Sequence, residues 1–346
     1  MRSRTESRFN RFGGTALTIA VAVCFTPKLH ASYTFQDIIN PGDITFNQAL
    51  GINNAGNISG YYGSGAAGHP NKGYTSTPPY ISFTSENFPG SAQTQVVGIN
   101  NSGTTVGFWS NTDMGVGMDA NFGFTDVGGT FTSVIDPSTP AVTTTTNQLL
   151  GVNDSNIAVG FYVDATGNPQ GYLYNVTSMT FTSFTVPVAN NSILTGINNA
   201  GVLAGFYNNA GSDVGFIDNG GTFQYIQAFG DSTMLLGLNN DGYAVGTYVD
   251  GLGQNHGFLY DIATMTYITI DDPSAALGTG NGTTLNGIND KNQLVGFYVN
   301  GDGNTIGLIA DPVVSEPASL ALVGFGLLVV GAYLRKAGAG AHHDSL

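Results

Sequence analysis

Between residues 32 and 314 the chain carries two histidines (His69 and His256), one glutamate (Glu86), 19 aspartates, two lysines (Lys72 and Lys291) and no arginine. These few side chains bound the available chemistry. Three loops concentrate oxygen ligands: Asp164-Ala165-Thr166-Gly167-Asn168, Asp250-Gly251-Leu252-Gly253-Gln254 and Asn300-Gly301-Asp302-Gly303-Asn304. Hard oxygen donors are what calcium takes, so Asp164, Asp250 and Asp302 are its candidates. None has the full Asp-x-Asp-x-Asp-Gly spacing with a distant glutamate, and a polar hairpin loop is the competing reading. His256 could join a serine and an aspartate in a hydrolytic triad, but no Gly-x-Ser-x-Gly turn accompanies it. A structural histidine beside Gly257 is the alternative. Glycoside hydrolysis needs two carboxyl groups on one cleft. Asp136, Asp271 and Asp272 follow sheet strands and read as turn formers, which leaves Glu86 alone. Trp109, the single tryptophan, could platform a sugar ring or fill the core. The expectation is a protein without catalytic residues.

The elements that position these groups come from a repeat. Gly51-Ile52-Asn53-Asn54-Ala55-Gly56-Asn57-Ile58-Ser59-Gly60-Tyr61-Tyr62 recurs from Gly98, Gly151, Gly196, Gly237 and Gly287. Two residues after the first glycine stands Asn53, Asn100, Asn153, Asn198, Asn239 or Asn289. Five after it stands glycine or asparagine, the types that most readily adopt positive φ. Nine after it is again glycine, and eleven after it an aromatic: Tyr62, Trp109, Tyr162, Tyr207, Tyr248 or Tyr298. The motif predicts strand, tight turn, strand.

Two more strands follow in each unit. One opens with glycine and usually an aromatic, as at Gly73-Tyr74 and Gly257-Phe258. The other is rich in threonine and aromatics: Tyr80 to Phe83, Thr130 to Val134, Thr180 to Phe184, Thr222 to Ile226 and Thr266 to Ile270. A unit of about 47 residues with four strands has the size of a propeller blade. The last unit lacks its fourth strand, and Tyr33 to Ile38 has that pattern at the other end. The expectation is an all-β, six-bladed β-propeller over residues 32–312. The N-terminal strand would complete the last blade, and the Gly-Ile-Asn strand would lie innermost.

Composition narrows the partners. Charged residues make up 9% of the chain, and its formal net charge is −14. The two lysines of residues 32–314 face 20 acidic groups, too few cations to neutralise a nucleic-acid backbone. Nucleic acid and anionic membrane surfaces are excluded as partners. Cys24, the only cysteine, lies in the N-terminal apolar run, which excludes disulfides and thiol chemistry from the repeats.

The two ends supply an address. Arg2, Arg4, Arg8 and Arg11 precede an apolar stretch from about Phe12 to Phe25, and residues 1–31 read as a secretory signal peptide. Ser315-Glu316-Pro317 is followed by an apolar segment, Ala318 to Leu334, of transmembrane length, and then by Arg335-Lys336. This order over residues 313–336 resembles the PEP-CTERM sorting domain of Gram-negative bacteria, with residues 337–346 as a short tail. Ser315 stands where that domain has its first proline, and the basic cluster is only two residues. The resemblance implies an exosortase-type processing enzyme as partner, transient membrane anchorage, and delivery to the cell surface or beyond.

The repeats resemble the bacterial extracellular HAF repeats, through His256-Gly257-Phe258-Leu259-Tyr260 and Gly287-Ile288-Asn289. Only His256 matches that family's histidine, and the family brings no chemistry to carry over. Address and scaffold together lead to the expectation of a surface or matrix protein that binds exopolysaccharide or another cell-surface component. A carbohydrate-active enzyme and a purely structural scaffold are the alternatives.

Overall fold

The computed structural model describes residues 32–313, apart from 67, 116, 143–144 and 229–231. The signal-peptide segment and the sorting segment, with Ser315, Glu316, Pro317, Arg335 and Lys336, lie outside the described residues. Among the described residues, no helix is long and apolar enough to cross a membrane.

The described chain is all β. It begins with β1 (Tyr33–Ile38) and continues as antiparallel units. The first is β2 (Asn47–Ile52), β3 (Ile58–Tyr62), β4 (Lys72–Ser76) and β5 (Phe83–Ser85). The second is β6 (Gln93–Ile99), β7 (Thr105–Ser110), β8 (Phe122–Val127) and β9 (Thr130–Val134). The third is β10 (Asn147–Val152), β11 (Ile157–Val163), β12 (Pro169–Asn175) and β13 (Thr180–Ser183). The fourth is β14 (Ile193–Ile197), β15 (Leu203–Asn209), β16 (Ser212–Asn219) and β17 (Thr222–Ile226). The fifth is β18 (Ser232–Leu238), β19 (Tyr243–Val249), β20 (Asn255–Asp261) and β21 (Thr266–Thr269). The chain ends with β22 (Gly282–Ile288), β23 (Leu294–Val299) and β24 (Thr305–Pro312). β1 pairs antiparallel with β24 from Tyr33↔Pro312 to Ile38↔Gly307, so the two ends of the described chain share one sheet.

The arrangement is propeller-like. The first four units are separate four-stranded sheets. The other eight strands form one sheet rather than the two separate blades expected. The join is local. β20 and β22 meet at one parallel pair, Asn255↔Gly282, where Asn255 N donates to Asn281 O at 2.8 Å. Gly282 permits it, since a Cβ there would sit 1.9 Å from Asn255 O. The first unit also departs from expectation. Its outer strand is Phe83–Ser85, later than Tyr80 to Phe83, because Tyr80 takes φ 65° and its hydroxyl donates to Gly56 O at 2.8 Å.

Two closed circuits define the axis. An added Cβ on Gly51, Gly98, Gly151, Gly196, Gly237 or Gly287 would lie 3.1 to 3.4 Å from the Cα of the next glycine in the series, and the last closes on the first. Only glycine lets six inner strands converge this closely. Just below, the side-chain amide of each repeat asparagine donates to the main-chain oxygen of the next: Asn53 to Asn100, then Asn153, Asn198, Asn239, Asn289 and back to Asn53, at 2.9 to 3.2 Å. The same asparagines cap their own turns. Asn53 Oδ1, for example, accepts from Ala55 N and Asn57 N at 3.0 Å. The tight turn was expected from the sequence; the link between units was not.

The core lies between units. β-branched and aromatic side chains of the middle strands, such as Tyr74, Phe124, Tyr172, Phe216 and Phe258, are completely or almost completely buried. Burying each such ring contributes about 1.5–3 kcal/mol. The face at which inner strands begin is called upper here, and the face at which they end, lower.

Candidate functional site

On the upper face a cavity of about 410 Å³ opens at the junction of the first two units. Its wall includes Phe46, Tyr61, Phe108 and Trp109, with Asn71, Gln93, Gln95 and Asn121 among its polar groups. The size suits a small ligand, and so does an apolar lining with a few convergent polar groups.

Each wall group is placed by local structure. Trp109, at the end of β7, lies parallel to Phe88 at 4.3 Å between ring centroids, and its Nε1 donates to Ser133 Oγ at 3.4 Å. The indole plane is therefore set by Phe88, from the connection between the first two units. Trp109 is a half-buried wall residue, in part packing and in part surface, so the two sequence readings of it meet in one place.

The polar groups are linked. Asn71 Nδ2 donates to Gly63 O at 2.6 Å, and Asn71 Oδ1 accepts from Gln95 Nε2 at 2.8 Å. Gln93 Nε2 donates to Asp119 Oδ2 at 2.7 Å. Among the described residues Asp119 is the one carboxylate of the wall, and it is buried. It also accepts from Thr112 Oγ1 and from Met114 N, and so folds the loop 111–121 back onto the cavity. Gly65, at φ 72°, packs over the amides: a Cβ there would meet Asn71 Oδ1 at 3.1 Å. Gln95 Oε1 takes no donor among the described residues, which leaves an acceptor for a ligand hydroxyl.

Sequence reasoning missed this cavity, yet a signal was present in the departures from the repeat. The loops after the second strand span 63–71 and 111–121 in the first two units, against 164–168, 210–211, 250–254 and 300–304 in the others. The residue three before the repeat glycine is Gln48, Gln95 or Gln148 in the first three units, then Ile193, Met234 or Thr284. Both departures fall at or beside the cavity.

His256 lies elsewhere on the upper face, with Asp250. Its Nδ1 is 2.7 Å from Asp271 Oδ2, its Nε2 3.5 Å from Asp250 Oδ2, and Tyr248 stacks on it at 5.0 Å. Burial lowers the imidazole pKa, but the hydrogen bonds and charges of Asp271 and then Asp250 outweigh it and raise the value overall. The two carboxylates lie on different nitrogens of the ring, so they clamp it rather than converge with it on a shared ligand. Asp250 Oδ1 is also spent on its own loop, accepting from Leu252 N and Gln254 N.

Asp164 and Asp302 lie on two further loops, so the structure does not bring the three calcium candidates together. Asp164 Oδ1 accepts from Thr166 Oγ1, Thr166 N and Asn168 N, while its Oδ2 accepts from Gln170. The Thr166 hydroxyl and the Asn168 amide lead in holding its pKa down at about 2. In the third loop the turn former is Asn300, whose Oδ1 accepts from Asp302 N and Asn304 N; Asp302 is exposed two residues later. Among the described residues no group of three or more His, Cys, Asp or Glu side chains is arranged to hold a metal ion.

Glu86 is half-buried between the first two units. Burial pushes its carboxyl up to about 7, Asp126 beside it adds to the rise, and Thr105 Oγ1, donating at 2.7 Å, opposes it. It does not line the cavity.

On the lower face the second residues of the Asn-Asn or Asn-Asp pairs form another circuit. Asp154 Oδ2 accepts from Asn101 and Asn199, and Asp290 Oδ2 from Asn54 and Asn240. Both carboxylates are thereby committed to holding neighbouring units together.

No family model matches the chain, and no curated protein matches it. Among solved structures it is similar to a mutant of AofleA from Arthrobotrys oligospora (TM-score 0.45, 9% identity, 80% of this chain and 86% of that one). It is similar also to Trypanosoma rangeli sialidase in complex with the inhibitor DANA (TM-score 0.44, 9% identity, 83% and 58%). A third is a polysaccharide lyase, Ulvanlyase (TM-score 0.41, 11% identity, 77% and 78%).

Proposed function

We propose that this chain is an exported, six-bladed propeller that binds extracellular polysaccharide through its upper face without transforming it. The six-blade reading is supported by the six-membered glycine and asparagine circuits and by the pairing of β1 with β24. On that reading the eight-stranded sheet is two blades bridged at Asn255 and Gly282. Export, processing and surface or matrix location rest on the sequences of residues 1–31 and 313–336.

The observation that carries the binding role is the cavity wall: four aromatic rings beside linked amides. Apolar sugar faces stack on aromatic rings, and sugar hydroxyls exchange hydrogen bonds with amides. A non-catalytic role is supported by Asp119, the single carboxylate of the wall. It already accepts three hydrogen bonds and has no second wall carboxyl to work with. The test is binding of the full-length chain to the exopolysaccharide of its source cells, beside Trp109→Ala. Saturable binding that weakens at least tenfold in the variant supports the reading. No saturable binding by a folded chain would leave the scaffold alternative, and turnover of the polymer would favour the enzyme.

A further inference from the structure

We propose that the cavity selects neutral sugar residues and rejects those bearing carboxylate or sulfate. This rests on the carbohydrate reading above and specifies the ligand class of that same site.

Among the described residues the wall holds no cation. Its polar side chains are amides and hydroxyls, plus the carboxyl group of Asp119. Among the described residues the only Lys and Arg side chains are Lys72 and Lys291. Lys72 is not a wall residue; its ammonium donates to Ala92 O at 2.7 Å. Lys291 lies on the lower face, in the turn between β22 and β23. A bound uronate or sulfate would therefore lose hydration with no guanidinium or ammonium in the wall to replace it.

The surrounding field acts in the same direction. Asp43, Asp113, Asp164, Asp213, Asp250 and Asp302 all lie in upper-face loops or strand ends. A polyanion approaching the cavity meets their summed negative potential, which salt screens over about 10 Å at 0.1 M. A neutral glycan meets neither obstacle. Its hydroxyls can donate to Gln95 Oε1, and its apolar faces can lie on the aromatic wall.

The experiment measures binding of the full-length chain to matched pairs: dextran against dextran sulfate, and galactan against polygalacturonate. The neutral member of a pair should bind at least tenfold more tightly at low ionic strength, with the gap narrowing as salt is added. Gln95→Arg, which places a cation in the wall, should narrow it further. Equal or tighter binding of the charged members by the native chain overturns this inference and leaves the carbohydrate reading standing. If that binding disappears in Lys72→Gln, recognition lies at that lysine instead. Failure of every member to bind a folded chain overturns the carbohydrate reading itself.

Discussion

The side-chain amide of Asn289 donates to the main-chain oxygen of Asn53 at 2.9 Å, joining positions 236 residues apart in the sequence. It is the bond that closes the asparagine circuit. Both residues are almost fully buried, so the Asn53 oxygen left without its donor in Asn289→Ala is not compensated by water. Asn289→Ala also strips the acceptor that caps Lys291 N and Gln293 N. Unsatisfied buried polar groups cost about 1–3 kcal/mol each. A destabilisation of about 2–4 kcal/mol is expected in denaturant unfolding; a loss below about 0.5 kcal/mol would mean that the circuit contributes little to closure.

Glycines of the repeat differ in what they tolerate. A Cβ on Gly160 would sit 1.9 Å from Gln148 O, where the first strand bulges toward it. On Gly103, at φ 83°, a Cβ would meet nothing within 4 Å. Gly160→Ala must shift a main chain, and a cost of about 3 kcal/mol or more is expected. Gly103→Ala carries only the left-handed backbone penalty of about 1 kcal/mol. Paired thermal melts check the order, and the reverse order would contradict the bulge geometry.

How much of this was legible in the sequence follows from where the repeat is regular. Gly51, Asn53 and Gly60 with their copies are demanded by one geometry six times over, so a single chain displays their constraint. The placement of Tyr33 to Ile38 beside the last strand was legible for the same reason, since an incomplete unit needs its fourth strand. The cavity was not legible as a motif. It is built where the first two units depart from the repeat, from Asn71, Gln93, Gln95 and Asp119, whose hydrogen bonds cross between units and loops. His256 and Asp250 were singled out separately; their shared clamp with Asp271 depends on how two loops of one unit fold over each other. The pairing of Asn255 with Gly282 likewise depends on the approach of two strands that no local pattern encodes.

The loop over the cavity depends on Asp119. Asp119→Asn keeps the shape but turns an amide toward Gln93 Nε2, Thr112 Oγ1 or Met114 N, all of them donors. The loop should loosen while the sheets, whose cores lie away from it, stay intact. The expected result is a loss of glycan affinity of about tenfold or more with a small change in melting temperature. A large fall in melting temperature would instead place Asp119 in the global fold.

Glu86 makes stability depend on pH. Its folded-state pKa of about 7 lies above its unfolded value of 4.5, so the folded protein holds the proton more tightly across that interval. The stabilisation linked to this proton is fully present below about pH 4.5 and declines as pH rises toward 7. Glu86→Gln keeps an acceptor for Thr105 and removes the titration. Its unfolding free energy should lose the downward slope that the native chain shows between those values. An unchanged slope would show that another group carries it.

His256 contributes a second pH dependence with its own window. Its folded pKa is raised above the ordinary 6.5, so the charged clamp is worth most below that value and is lost as pH rises through the raised folded value. Asp271 also accepts from Gly257 N at 3.1 Å, which keeps one arm of the clamp in place after the imidazole deprotonates. The effect should thus be confined to the 250–254 and 271–281 loops, without unfolding the ring. Hydrogen exchange of those loop amides should accelerate above about pH 6.5 in the native chain. In His256→Gln it should be fast already at pH 6, once corrected for intrinsic exchange. Equal protection of native and variant chains at pH 6 would show that the imidazolium does not hold the two loops together.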